Sequence, residues 1–306
     1  MKIKLDKKNL IIMAATIAML GAGAVSYFMF WNTPERVLSQ MLEKNVESVH
    51  FEGETEIGRK VLGVGTTVAV GLNGNLDIKN EAMPLLETAL NLKAGQGGIN
   101  VLSNGELKLV GDKVYFKLSD LPDLSAFGLD FSKLEGQWIA QEVPGNQTKE
   151  LTETQIKEIN ELTGKTKFFK EIKSIGTNNI QGVLTYHYKV KLSKDALYDY
   201  VVKTSEISAK NLSGDEKEVL KKSIEQVVGM DVELWVGKKD KMLYKISLNG
   251  NFGSASGEIK LKLALIFSKH NQKVEIAAPK DAKTLDEILK ELGEKAIPTI
   301  PEQFGF

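Results

Sequence analysis

An apolar run, Leu10–Trp31, is the feature that most restricts how this chain can fold. It holds 22 residues without a charge, and Lys2, Lys4, Lys7 and Lys8 precede it. A helix of this length is about 33 Å long and can cross a hydrocarbon layer about 30 Å thick. Because these positive charges are on its N-terminal side, we expect residues 1–9 to be cytoplasmic and the part after the run to be exported.

Two interpretations of this segment differ at its C-terminal end. A cleaved secretory signal has an apolar stretch of about 7–15 residues before small residues at the cleavage site, and Ala22 and Ala24 fit that pattern. The run continues past them to Trp31, however, through aromatic residues typical of the place where a helix leaves the lipid. We therefore predict an uncleaved single-pass anchor at 10–31 in the plasma membrane. A cleaved signal and a buried helix are the alternatives.

Composition limits the partners and the chemistry of the exported part. Basic and acidic residues balance, and arginine occurs only at Arg36 and Arg59, so we expect no nucleic-acid partner. The chain has no cysteine, which excludes disulfides, thiolate metal sites and a lipid anchor on cysteine. A lysine-rich chain without cysteine suits a bacterial envelope.

From residue 49 the apolar residues alternate with polar ones, which indicates strands. Val68, Val70 and Leu72, for example, share one face of such a segment. Alternation of this kind is typical of antiparallel strands with one buried and one wet face. About ten strands are predicted, the last of them at Val274–Ile276. Turns are predicted at 97–98, 104–105 and 111–112.

Helix start signals lie before and between the strands. The residues predicted as helix N-caps are Thr33, Thr152, Ser193, Ser213 and Thr284. The helix after Ser193 is expected to run to about Lys210, and Gly164 and Gly229 are expected to end the helices before them. The first helix is predicted to pack on the exported domain, with a position on the bilayer as the alternative.

Together these elements predict an α+β fold. We expect a large curved antiparallel β-sheet, a half-barrel, with helices packed in its concave face. No flexible linker divides residues 32–293, so one exported domain is predicted there, followed by a C-terminal tail at 294–306. Two smaller domains are the alternative.

Three passages of the predicted sheet, with the order of elements, carry a likeness to a known family. They are Val114–Lys117 with Gly136–Ile139, Glu233–Gly237 with Leu243–Ile246, and Val274–Ile276 before Pro279. The pattern resembles the LolA/LppX-like fold of bacterial lipoprotein carriers and lipid-binding envelope proteins, over about residues 34–292. This resemblance implies a cavity between sheet and helices that holds acyl chains or another apolar ligand. The chain differs from the lipidated members because an apolar N-terminal segment stands in place of their lipidated cysteine.

The residues predicted to line that cavity are apolar and face inward from strands and helices. They are Phe116, Leu118, Tyr186, Tyr188, Leu197, Val201, Ile224, Leu234, Ile246 and Leu263. The same side chains could instead fill a solid core, and residue type does not separate the two interpretations.

The sequence shows no set of residues suited to catalysis. His50, His187 and His270 fall on different elements and are expected on the surface, so we predict no metal site, no cofactor and no enzymatic activity. The leading hypothesis is a membrane-tethered extracytoplasmic protein that binds a lipid, a lipidated protein or another apolar ligand. The alternative is an envelope scaffold that binds an unidentified protein partner through its sheet, without lipid.

Overall fold

The structure is a computed structural model that describes residues 33–42, 44–61, 64–79, 84–96, 99–120, 134–142, 151–209, 211–254 and 257–292. The predicted anchor at 10–31, residues 1–9 and the predicted tail at 294–306 lie outside these ranges. Among the helices that the structure describes, none is both long and apolar enough to cross a membrane.

Twelve strands form one open sheet in the described part of the chain. They are β1 Ser48–Val61, β2 Val64–Asp77, β3 Leu85–Gln96, β4 Ile99–Val110, β5 Lys113–Ser119, β6 Ile139–Glu142, β7 Phe169–Ile180, β8 Val183–Leu192, β9 Asp231–Gly237, β10 Leu243–Ser254, β11 Gly257–Ser268 and β12 Lys283–Thr284. Their order across the sheet is β12-β6-β5-β4-β3-β2-β1-β11-β10-β9-β8-β7. The predicted α+β class and large sheet are therefore confirmed.

The chain builds this sheet as two meanders that meet in the middle. Strands β1 to β6 step outward in one direction, and the chain then crosses to β7 at the far edge and steps back to β11. There β11 pairs with β1 in antiparallel register, from His50 opposite Ser268 to Lys60 opposite Glu258. Residues that are far apart in sequence thus form the centre of the sheet.

Five helices accompany the strands in the described residues. They are α1 Pro34–Gln40, α2 Glu153–Lys165, α3 Lys194–Ile207, α4 Gly214–Val228 and α5 Leu285–Leu292. Thr152 and Ser213 each form the predicted capping box, in which the side chain at the start of the helix and the one three residues later bond each other's backbone N–H. All five predicted helix starts are confirmed, because each cap satisfies backbone donors that the first turn leaves free.

Helices α1, α3 and α4 pack on one face of β8–β11, which we call the inner face. Val37 and Leu38 of α1 are almost completely buried there. The prediction that the first helix packs on the domain is therefore confirmed. The opposite, outer face carries most of the charged side chains of the strands.

The edge strand β7 is long but irregular. Its pairing with β8 shifts register between Phe169 and Glu171 and again between Ser174 and Gly176. Gly176 has a φ of 142°, a conformation that favours glycine. The strand therefore presents a broken edge to solvent.

Three local predictions are wrong: the turn at 104–105, the helix end at Gly164 and the strand at Val274–Ile276. Asn104 and Gly105 do not form a turn: they lie within β4, where both residues pair with β3 and β5. Gly164 does not end α2, because the helix continues to Lys165 and the Thr166 hydroxyl donates to the Leu162 carbonyl at 2.7 Å.

The predicted strand Val274–Ile276 is also absent, and residues 272–279 have no regular structure. The strand before it, β11, already has β1 and β10 on its two sides, so no free edge is available beside it. Instead the chain continues to β12, which pairs in parallel with β6. The sheet is therefore mixed and not wholly antiparallel as predicted.

Gly53 offers a direct test of the β1–β11 contact. A Cβ added to Gly53 would lie 1.9 Å from the Ala264 carbonyl oxygen, whereas one added to Gly58 on the same strand would meet Lys260 Cβ at 3.8 Å. We expect Gly53→Ala to lower the free energy of unfolding by about 2 kcal/mol, because backbone must move. Gly58→Ala should change it by less than about 1 kcal/mol. Urea unfolding followed by circular dichroism measures both, and equal effects would contradict the close contact at Gly53.

Candidate functional site

The half of the inner face that α1, α3 and α4 cover is tightly packed. Leu234 of β9 is 1% exposed and Ile224 of α4 is 4% exposed, and both belong to one buried cluster. Burial raises the pKa of the Tyr188 phenol far above its ordinary value, and the nearby Tyr186 and Glu35 add to the effect. This phenol therefore stays neutral. The packing here is that of a filled core.

The residues predicted to line a cavity divide into three groups. The buried core holds Tyr188, Leu197, Ile224, Leu234 and Ile246. Partly buried side chains against that core are Tyr186, Val201 and Leu263. Phe116 and Leu118 lie apart from both groups, on β5. Whether any of the ten contacts a ligand stays a prediction.

The apolar pattern of the inner face continues beyond the helices onto β2–β5. Pairing places Leu72 opposite Leu90 and Leu107 opposite Phe116, so these side chains share the inner face in adjacent strands. We name this surface the open strip. It consists of Val68, Val70, Leu72, Leu90, Leu92, Leu107, Phe116 and Leu118, all of them partly exposed.

The open strip is separate from the core cluster. Of the residues that the structure describes, β3, β4 and β5 contribute no side chain to the cluster or to the shell packed against it. Rows of leucine in a sheet normally bury one face against another layer. Among the described helices, α1, α3 and α4 supply that layer over the β7–β11 half, and α5 contacts β6 and β12 at the other end of the sheet.

At the end of the inner face, cationic and aromatic groups meet. The Tyr186 ring on β8 stacks on the Tyr188 ring, with 6.0 Å between their centres. The Lys238 and Lys241 ammonium groups, from the turn between β9 and β10, lie 5.0 and 5.1 Å from the centre of the Tyr186 ring. Two ammonium groups thus lie near the Tyr186 ring, which packs at the margin of the core.

A groove of about 540 Å³ lies over β2–β5, and polar side chains of asparagine, glutamate and serine line it together with leucine, alanine and glycine. Its lining residues are Gly53, Gly71, Leu72, Asn73, Ala89, Leu90, Asn91, Asn104, Gly105, Glu106 and Ser119. Alternation along the strands places Asn91 and Asn104 on the outer face, where the Asn91 amide donates to Asn104 at 2.7 Å. This groove is therefore not the predicted apolar cavity between sheet and helices.

The three histidines lie on different elements, and each has a partner of its own. His50 is hydrogen-bonded to Asn75, and His270 to the Leu243 carbonyl. His187 is hydrogen-bonded to Glu233 and stacks on the Trp235 ring. All three histidines are partly exposed, and burial of part of the ring lowers the pKa of His270. Within the described ranges, no group of three or more His, Asp and Glu could hold a metal ion.

These features define a large open sheet with helices on one half of its inner face, and solved structures of this kind match the chain. It is similar to LprF from Mycobacterium bovis, at 10% identity over 79% of this chain and 93% of that one, with a TM-score of 0.40. It is also similar to the lipoprotein LppX from Mycobacterium tuberculosis, at 16% identity over 77% of this chain and 92% of that one, with a TM-score of 0.32. A third match is described as an outer membrane lipoprotein-sorting protein domain from Vibrio parahaemolyticus, at 6% identity over 83% of this chain and 94% of that one, with a TM-score of 0.20.

Both LppX and a lipoprotein-sorting domain, the kinds of protein that the sequence pattern resembles, are among these matches and cover most of the chain. Scores this low give no argument about a shared ligand. No protein-family model and no curated protein matches the chain.

Sequence reasoning missed the pair Lys238 and Lys241. From the sequence, residues 237–240 only join the passages Glu233–Gly237 and Leu243–Ile246, and Tyr186 is predicted only as an apolar lining residue. Their contact depends on the pairing of β8 with β9, which sets Tyr186 opposite Val236 beside that turn. The lysines at 238, 239 and 241, between those two passages, are the sequence signal for this place.

Two leucines test whether the helix-covered half is a filled core. Leu234 is 1% exposed, while Leu184 on β8 is 52% exposed. We expect Leu234→Ala to lower the free energy of unfolding by about 3 kcal/mol, because it leaves a cavity. Leu184→Ala should cost less than about 0.5 kcal/mol. Thermal and urea unfolding compare the two, and a small effect at Leu234 would show that the interior is loosely filled.

Proposed function

We propose that this protein binds an apolar ligand with acyl chains along the open strip, close to a bacterial membrane. The observation that carries the proposal is the continuation of the apolar inner face past the helix-covered core onto β2–β5. There two cross-strand pairs, Leu72 with Leu90 and Leu107 with Phe116, stay partly exposed. Such a surface supports binding of a long, flexible apolar group better than binding of a compact polar substrate.

The strength of such contacts is sufficient for a lipid. Each buried methylene contributes about 0.8 kcal/mol, so ten methylenes laid on the strip contribute about 8 kcal/mol before ordering costs. That free energy corresponds to a dissociation constant of about 1 μM. A chain of ordinary membrane-lipid length therefore suits this surface.

The proposal includes a tether at residues 10–31, with the described domain on the extracytoplasmic side. Its support is the position of α1, which begins at Pro34, only a few residues after the apolar run. Val37 and Leu38 of this helix are 0% and 1% exposed in the core. A membrane helix ending at Trp31 would therefore be joined to the core of the domain with little intervening chain.

We also propose a binding role without catalysis. The outer-face titratable groups pair with one another as surface networks do, such as His187 with Glu233 at 2.7 Å and Lys262 with Glu56 at 3.1 Å. Such pairs hold cross-strand neighbours together and do not activate a nucleophile.

Substitutions on the two faces of the same sheet region test the binding proposal. We expect Phe116→Ser and Leu92→Ser each to reduce the lipid bound to the full-length, detergent-extracted protein several-fold, because they place a hydroxyl on the strip. Leu102→Ser is the matched control, since Leu102 lies on the outer face of β4 and is 60% exposed. Native mass spectrometry with lipid extraction measures the bound lipid.

Three outcomes are decisive. Retained lipid in the control with loss in both strip variants supports the proposal. Absence of lipid from the wild-type protein contradicts it. A stoichiometric protein partner recovered without lipid favours the alternative, an envelope scaffold.

A further inference from the structure

Two lysines share one aromatic ring at the end of the inner face. The ammonium groups of Lys238 and Lys241 each lie about 5 Å from the centre of the Tyr186 ring. They can therefore be no more than about 10 Å apart. The Lys241 ammonium also donates to the Lys238 carbonyl at 2.7 Å, which fixes its position. The cation–π contacts hold both charges in place without neutralising them.

The nearby carboxylate is engaged elsewhere. Asp240 accepts from the Tyr244 hydroxyl at 2.5 Å and from the Met242 backbone N–H at 3.1 Å. No ion pair to Lys238 or Lys241 occurs within the described residues. Burial lowers the pKa of Lys241, and the positive charge of Lys238 lowers it further. The negative charge of Asp240 acts in the opposite direction. Two partly buried ammonium groups thus lie near one ring, and no described carboxylate forms an ion pair with either.

We infer that Lys238 and Lys241, above the Tyr186 ring, bind a phosphate-type anion. Ammonium groups form strong, charge-assisted hydrogen bonds to phosphate oxygens. An anion there would offset the two ammonium charges, which Asp240, bonded to Tyr244 and Met242, does not pair with directly. This is a polar site distinct from the open strip and from the outer-face groove.

The position of the site indicates the source of the anion. Tyr186 packs against the core on the inner face, so an anion on its ring lies at the end of the apolar surface. A phosphate headgroup there lies five strands from β2, about 24 Å along the sheet, so a lipid that also used the open strip would extend its chains across β9–β1 on the same face. This assignment to a phospholipid headgroup rests on the proposed function, whereas binding of free phosphate does not.

Lys239 provides a control within the same turn. It is exposed and carries the same charge, and no contact to an aromatic ring is described for it. Lys239→Gln therefore removes a positive charge of the turn without removing a ligand of the site. The double variant Lys238→Arg/Lys241→Arg keeps the charge and tests for rescue.

The experiment measures binding to the full-length protein in a neutral detergent. The probes are phosphatidylglycerol, diacylglycerol with the same chains, and inorganic phosphate, each titrated by calorimetry. We expect Lys238→Gln/Lys241→Gln to weaken phosphatidylglycerol binding at least about tenfold. Lys239→Gln should weaken it by less than about twofold, and diacylglycerol binding should be unchanged in both. Circular dichroism verifies that each variant is folded.

The outcomes separate this inference from the proposed function. If the double Gln variant abolishes binding of inorganic phosphate, the result supports the site. Failure of diacylglycerol to bind the wild-type protein would contradict the proposed function but not this site. If inorganic phosphate displaces phosphatidylglycerol, the site recognises the headgroup. Equal losses in the Lys239→Gln and double Gln variants would overturn the inference, because they would reflect net charge only. Unchanged phosphatidylglycerol binding in the double Gln variant would also overturn it.

Discussion

The pairing of β1 with β11 is the interaction on which the rest of the structure depends. It joins a meander that steps outward from β1 to another that returns from β7, and so closes a very long stretch of chain. The eleven residue pairs between β1 and β11 must offset the loss of chain entropy that this closure causes. Because the register is fixed, Phe51 lies opposite Phe267 and Gly53 opposite Leu265. Slippage by one residue would turn the apolar side of one meander away from the other.

That register makes the inner face continuous. The helices α1, α3 and α4 bury its β8–β11 part, whereas the open strip continues the same alternation on β2–β5. Core and proposed binding surface are therefore made of the same kinds of residue and differ only in whether a helix lies above them. This explains why residue type alone could not separate them.

The sequence predicted most strands and every described helix start, because alternation and capping residues act locally. It was wrong at Asn104–Gly105, since a glycine suits a turn and also a strand that a neighbour approaches closely. It was wrong at Val274–Ile276, since a strand also needs a free edge to pair with. Both errors concern neighbours that are distant in sequence.

The candidate site was less predictable than the fold for the same reason. Five of the ten predicted residues, including Leu234 and Ile246, are buried in the core. Lys238 and Lys241 reach Tyr186 only through the pairing of β8, β9 and β10. Charge runs in a turn do not reveal which ring they face.

The irregular edge at β7 has a consequence for copies of this protein that meet one another. An uninterrupted edge strand offers a row of free N–H and C=O groups on which another chain can add. Here the shifts near Glu171 and Gly176 break that row into short pieces, and the opposite edge strand, β12, has only two residues. Crowded molecules are thereby hindered from polymerising strand upon strand, even though their sheets are large and rich in leucine.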